Sequence, residues 1–156
     1  MRPALLPCAA AATLWAAGSA GAQPLMQTWH PWQLDSVLVA WALGQAKAPP
    51  PVFESIVRPT PIPPERAIDT PDSPFRRTGQ RTAFDEAVRQ TGFQHPCTAR
   101  LREAVRVVEL AAWRKPEFPQ VEEFEARVLK AIPSQPMRGG LEAALAEVDR
   151  YCKDTR

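Results

Sequence analysis

No segment of this chain stays apolar over the roughly 20 residues a helix needs to cross a bilayer. Block charge is also missing: 19 basic and 17 acidic residues are interspersed, for a net charge of +2. Nucleic acid or an anionic membrane surface would call for a clustered basic stretch, so neither is expected as a partner. There is no internal repeat, glycine-rich phosphate loop, nucleophile elbow or paired-histidine motif. The chain therefore advertises no catalytic residue, no cofactor and no metal site. Cysteine is scarce, at three residues.

What is present begins with a processing signal. Arg2 supplies a positive start, residues Ala4 to Ala17 are nearly all Ala and Leu, and Ala20-Gly21-Ala22 has the small-x-small pattern cut by signal peptidase. Cys8 lies too near the start to be a lipid anchor. We therefore expect a leader over residues 1–22 and an exported, periplasmic domain over 23–156, beginning at Gln23. Without the leader, 156 less 22 leaves 134 residues, enough for a single domain with a modest core.

The expected fold class is mainly α, with a minimal strand pairing: four to five helices wrapped by a proline-rich segment. Residues 33–46 read as the first helix, and seven consecutive apolar residues, Val37 to Leu43, mark it as buried rather than amphipathic. Residues 47–81 form the wrapping segment. Nine prolines between Pro49 and Pro74 remove the amide donors that a helix or central strand requires. Within it Val52 to Val57 reads as a strand, with Pro74 to Thr78 as its edge partner. Phe53, Ile56, Val57, Ile62 and Ile68 ask for burial, which favours an ordered wrap over a disordered spacer. Residues 82–153 are helical. Thr82 and Asp85 have the spacing of a capping box and Gly92 is a natural stop. Pro96, Pro119 and Gly139-Gly140 punctuate the later helices.

Cys97 and Cys152 remain after leader removal. A disulfide suits an oxidising compartment; two buried free thiols, or metal ligation with His95 and His30, are the other readings. Arg76, Arg77 and Arg81 form the one local guanidinium cluster, and arginine forks suit an oxyanion. The alternative is that they pair with Asp69, Asp72 and Asp85. The run Asp69 to Pro74 reads as Asx and Ser turns between prolines.

Two blocks resemble the chromate-resistance exported protein family, whose domain also forms the C-terminal part of chromate-responsive regulators. Gln33 to Leu43 is similar to that family's opening K-I-D-R-x-A-C-P-W-L-I. Ile68-Asp69-Thr70-Pro71, then Phe75, Gly79, Arg81, Phe84 and Gly92-Phe93, are similar to its F-D-x-P-G and F-x-H-x-G-x-R-C-x-F blocks. Val148 to Cys152 faintly resembles its closing Tyr-Asp-x-Leu-Tyr-x-Trp-Cys. The family's cysteine and histidine positions are lost: Val39, Arg77, Thr78 and Thr82 stand there instead. The resemblance implies a shared scaffold and a non-catalytic binding or accessory role in metal or oxyanion stress. On that reading Arg81, helped by Arg77 and Arg76, faces a small oxyanion, with Asp35 and Asp69 fixing the arginines. A periplasmic protein-interaction module is the other function considered. Its binding surface would be the proline-rich segment with Trp29 and Trp32.

Overall fold

The computed structural model describes residues 22–154. The expected leader, but for Ala22, lies outside the described residues. The fold is mainly α with a two-stranded parallel sheet, in the order β1 (Leu25–Trp29), α1 (Leu34–Ala46), β2 (Val52–Ile56), α2 (Ala83–Thr91), α3 (Thr98–Leu110), α4 (Pro119–Ala131) and α5 (Glu142–Lys153). Short 3₁₀ turns at Pro64–Arg66 and Ala112–Glu117 fill two of the connections.

Helix α1 is the axis of the core. Leu34 and the run from Val37 to Leu43 are all essentially inaccessible. An apolar surface on every side can only be satisfied by neighbours all round, and α2, α3, α4 and α5 supply them. The amphipathic helices contribute one stripe each: Leu101, Ala104, Val105 and Val108 from α3, Val121, Phe124 and Val128 from α4, Ala144, Val148 and Tyr151 from α5. Trp41 ties the axis to α5 through Nε1, which donates to Asp149 Oδ1 at 2.8 Å. Phe124 stacks on Tyr151 with ring centroids 4.0 Å apart. The surface pair Glu123 and Arg127 closes at 2.8 Å, the i,i+4 contact its spacing predicts.

The strand at Val52 is present, but its partner is not the segment expected. β2 pairs in parallel with β1, Leu25 opposite Val52 through Trp29 opposite Ile56, and α1 is the crossover between them. Pro74 to Thr78 makes only the isolated bridge of Phe75 with Ile68. Pro74 has no amide to give a ladder, whereas Leu25 to Trp29 carries a full set of donors and alternates in burial, Met26 and Thr28 facing inward. On β2 it is Phe53 and Ser55 that turn inward. Val57, expected in the core, is instead 63% exposed, because the alternation ends before it.

The proline-rich segment is an ordered wrap. Ile68 donates its amide to Gln27 O at 2.8 Å, and on the other flank Gly139 donates to Phe53 O at 2.7 Å. Ser73 Oγ donates to Ala67 O at 2.7 Å and accepts from Phe75 N at 2.9 Å, so the Asp69 to Pro74 run is the turn its composition predicts. Asp69 itself sits at φ 49°, the left-handed region that Asp enters more readily than most side chains.

The α2 start is a complete capping box: Thr82 Oγ1 accepts from Asp85 N at 3.0 Å, and Asp85 Oδ2 accepts from Thr82 N at 3.3 Å. Gly92 closes the helix at φ 64°. Thr82 is fully buried, so Thr82→Ala should lower stability in urea denaturation by about 1 kcal/mol, up to about 2. Thr82→Ser, which keeps the oxygen, should recover most of that loss; equal losses in the two variants would mean that packing of the methyl group, and not the cap, is what matters.

Candidate anion site

The three arginines of the local cluster do not converge. Arg76 reaches back to its own turn and donates from Nη1 to Pro71 O at 2.9 Å. Arg77 points into a nest of carboxylates. Its Nη1 lies 2.5 Å from Glu109 Oε2, its Nη2 3.4 Å from Asp69 Oδ2, and its Nε 3.6 Å from Asp35 Oδ2. Nη2 also donates to Gln33 Oε1 at 3.2 Å. Both terminal nitrogens are thus committed to the protein, while the buried Nε faces Asp35 at ion-pair distance without a hydrogen bond. Asp35 and Asp69 hold Arg77 alone of the three arginines.

Asp35 has a second task. Its two oxygens accept the amides of Ala83 at 2.7 Å and Phe84 at 2.8 Å, the first two residues of α2, from 48 and 49 positions upstream. The carboxylate therefore docks the first turn of α1 onto the N-terminus of α2, where unpaired amides and the helix dipole favour negative charge. Burial nevertheless pushes Asp35 up to about 7, Asp69 adds to the rise, and the Phe84 and Ala83 amides pull it back. Burial also raises Asp69, with Arg77 opposing, and raises Glu109, again with Arg77 opposing. Three carboxylates around one cation repel further negative charge and tend to hold a proton. A hollow of about 290 Å³ opens beside this nest, lined by Trp29, His30, Arg58, Asp69 and Arg77 among others. Its innermost cation is already neutralised.

Arg81 belongs to a different group. The packing of α2 on α3 brings Arg81, Arg89, Arg102 and Arg106 around a hollow of about 300 Å³. Two carboxylates serve these four cations. Glu86 takes Arg81 Nη1 at 3.0 Å and Arg89 Nη2 at 2.8 Å, and Asp85 takes Arg102 Nε at 2.7 Å and Arg106 Nε at 3.1 Å. The local balance is +2. Among the described residues, Arg102 and Arg106 give the protein only Nε, so their terminal amino groups keep unused donors.

The titration of the two carboxylates fits that balance. Arg89, then Arg81, hold Glu86 below its ordinary range. For Asp85, burial alone would raise the carboxyl, but the hydrogen bonds from Arg102, the Thr82 amide and Arg106 outweigh it and leave it lowered. Both are anionic at neutral pH, and two positive charges remain uncompensated. Of this group only Arg81 stood out in the sequence. Arg102 and Arg106 carried a signal of their own: an i,i+4 pair on the face of α3 opposite Leu101, Val105 and Val108.

Cys97, at the start of α3, and Cys152, in the last turn of α5, lie at disulfide distance, Sγ to Sγ 2.20 Å. His95 Nδ1 accepts from Cys97 N at 3.1 Å and its ring packs edge-on against Trp41, centroids 5.1 Å apart. That is a capping and packing role for His95. Of the surface expected from Trp29 and Trp32, Trp32 takes no part, while Trp29 is half-buried beside the proline-rich segment. Trp32 is 3% exposed and packs edge-on against Phe53. Trp29 spends its Nε1–H on Thr60 O at 2.8 Å, pinning the proline-rich segment, with the Arg58 guanidinium 5.1 Å above its ring. Among the described residues, no helix is long and apolar enough to cross a membrane.

No protein-family model matches this chain, and neither a curated protein nor a solved structure matches it.

Proposed function

We propose that this protein is a non-catalytic binding protein that takes a small oxyanion at the α2–α3 arginine hollow. It would serve, as the resemblance to the chromate-resistance exported family implies, as an accessory factor in metal or oxyanion stress outside the cytoplasm. The observation that carries this reading is the excess of guanidinium over carboxylate around one concave site, Arg81, Arg89, Arg102 and Arg106 against Asp85 and Glu86. Planar forks with unused donors match the oxygens of a tetrahedral dianion, and a partly walled site screens such contacts less than open water does. Asp35, itself held by Arg77 together with Asp69, supports the site indirectly by fixing the start of α2, which Arg81 precedes and in whose first turn Glu86 lies.

Calorimetric titration of the oxidised protein with chromate and with sulfate tests the proposal. One dianion should bind per chain and raise the melting temperature by mass action. A charge-assisted hydrogen bond contributes about 1.5–3 kcal/mol, so Arg102→Ala or Arg106→Ala should each weaken binding by about tenfold or more. Arg81→Ala should act in the same direction, and Arg76→Ala should leave binding unchanged. Lysine at 106 should recover only part of the affinity, since an ammonium cannot reproduce the fork. If neither dianion shifts the melting temperature or gives heat, the reading fails.

A further inference from the structure

Arg102 and Arg106 line two hollows at once. On their other side, away from α2, a groove of about 620 Å³ runs along α3 toward the 3₁₀ turn. Its walls are of a different kind. Val107, Leu110, Ala111 and Phe118 give it an apolar floor. Arg114 stands at the far rim, its guanidinium 5.0 Å over the Phe118 ring and 3.1 Å from Glu117. The Arg114 guanidinium thus covers one face of the ring, while Leu110 beside it is half-buried.

Two adjoining features share one pair of cations, therefore: an anion-attracting hollow and an apolar groove of the volume that small-molecule sites have, roughly 300–1,000 Å³. A bare inorganic anion would use the first and leave the second to water. A molecule with an anionic head and an apolar body would use both. Its head would take the unused terminal donors of Arg102 and Arg106, and its body would lie on Leu110 and Phe118. Charge complementarity chooses among apolar occupants: Arg102, Arg106 and Arg114 outnumber the single lining carboxylate, Glu103, so an amine head would meet a net positive rim, and a neutral molecule would leave the donors unanswered.

We infer that the full ligand of this site is an amphipathic organic acid, a carboxylate or sulfonate on an apolar body, of which the inorganic oxyanion mimics only the head. The inference rests on the arginine hollow proposed above and adds the groove to it.

The fluorescent probe 1-anilinonaphthalene-8-sulfonate carries both parts and tests it on the oxidised full chain, with far-UV circular dichroism to confirm that each variant is folded. The probe should bind saturably, one per chain, with a rise in fluorescence. Octanoate should displace it, octylamine should not, and sulfate should displace it only weakly. Leu110→Gln, which adds polarity without charge, should weaken the probe at least tenfold while leaving sulfate affinity within about twofold. Leu110→Ala should give a smaller loss of the probe in the same direction. Arg106→Ala should weaken probe and sulfate alike. Absence of saturable probe binding, displacement by octylamine as strong as by octanoate, or indifference of the probe to both Leu110 variants overturns the inference while sulfate binding keeps the hollow. Probe binding that depends on Leu110, with no sulfate binding and no effect of Arg106→Ala, instead removes the hollow and the organic-acid reading with it.

Discussion

Replacing Cys97 and Cys152 together by alanine should cost this fold about 4 kcal/mol, the loop-closure entropy of a cross-link that spans 55 positions. The loop it closes contains α3, α4 and α5, so the bridge joins the first turn of one end of the helical layer to the last turn of the other. Noncovalent contacts at the same seam are few and peripheral. Arg100 lies 3.9 Å over the Tyr151 ring and donates to Tyr151 O at 2.6 Å and to Asp154 O. With a denaturant slope of about 2 kcal/mol/M, the urea midpoint should fall by about 2 M. Reduction of the native protein should produce the same fall. Alkylation of unreduced protein in denaturant should label neither cysteine. Labelling of both, with a midpoint indifferent to reductant, would show the thiols free and remove the contribution.

The contrast between this seam and the sheet shows which parts of the fold local sequence can carry. Helices were legible because their signals lie within a turn or two. The continuous apolar run from Val37 to Leu43, the Thr82–Asp85 box and Gly92 each report a structure made by near neighbours. The strand partner was not legible. Leu25 to Trp29 is a strand only because α1 returns the chain to place Val52 beside Leu25, and Gln27 and Thr28 look polar until their side chains donate to Glu54 and to Ile68 O, respectively. The same distinction divides the arginines. Arg76, Arg77 and Arg81 are neighbours in sequence, yet a turn at Gly79 and the capping box send them to a loop carbonyl, a carboxylate nest and the α2–α3 hollow. Arg81 finds its companions 21 and 25 positions on, and only the docking of two helices makes Arg81, Arg102 and Arg106 one site. The two blocks that carried the family resemblance pack against each other, Trp41 edge-on to Phe93 and Arg77 on Gln33, and the Asp35 carboxylate takes the first amides of α2. Those contacts follow from tertiary docking, and neither block alone announces them.

Asp35→Ala should destabilise the protein by about 3 kcal/mol, because it orphans two buried amides at roughly 1–3 kcal/mol each and leaves Arg77 with fewer partners. Asp35→Asn is the sharper test. Its amide oxygen can accept from one of the two N–H groups, but its NH₂ then faces the other as a second donor, so a loss of about 1–2 kcal/mol is expected. The pH dependence separates charge from shape. Burial raises the Asp35 carboxyl from 3.8 to about 7 in the folded protein. The folded state therefore binds the proton more tightly than the unfolded chain does. The associated stability is present in full below about pH 4 and is lost as pH rises through about 7. Asp69 and Glu109, also raised, add to this slope with the same sign. Asp85 and Glu86 are lowered and work the other way, contributing above their ordinary values and losing that contribution as the solution turns strongly acidic. The wild-type protein should accordingly be most stable in mild acid, and urea unfolding should show it more stable at about pH 5 than at about pH 8. In Asp35→Asn the difference between those two conditions should shrink, leaving the smaller part due to Asp69 and Glu109. A wild-type protein equally stable at both, with the same flat profile in the variant, would mean that the two α2 amides and Arg77 keep Asp35 ionised throughout, and that the nest around Arg77 stores no proton.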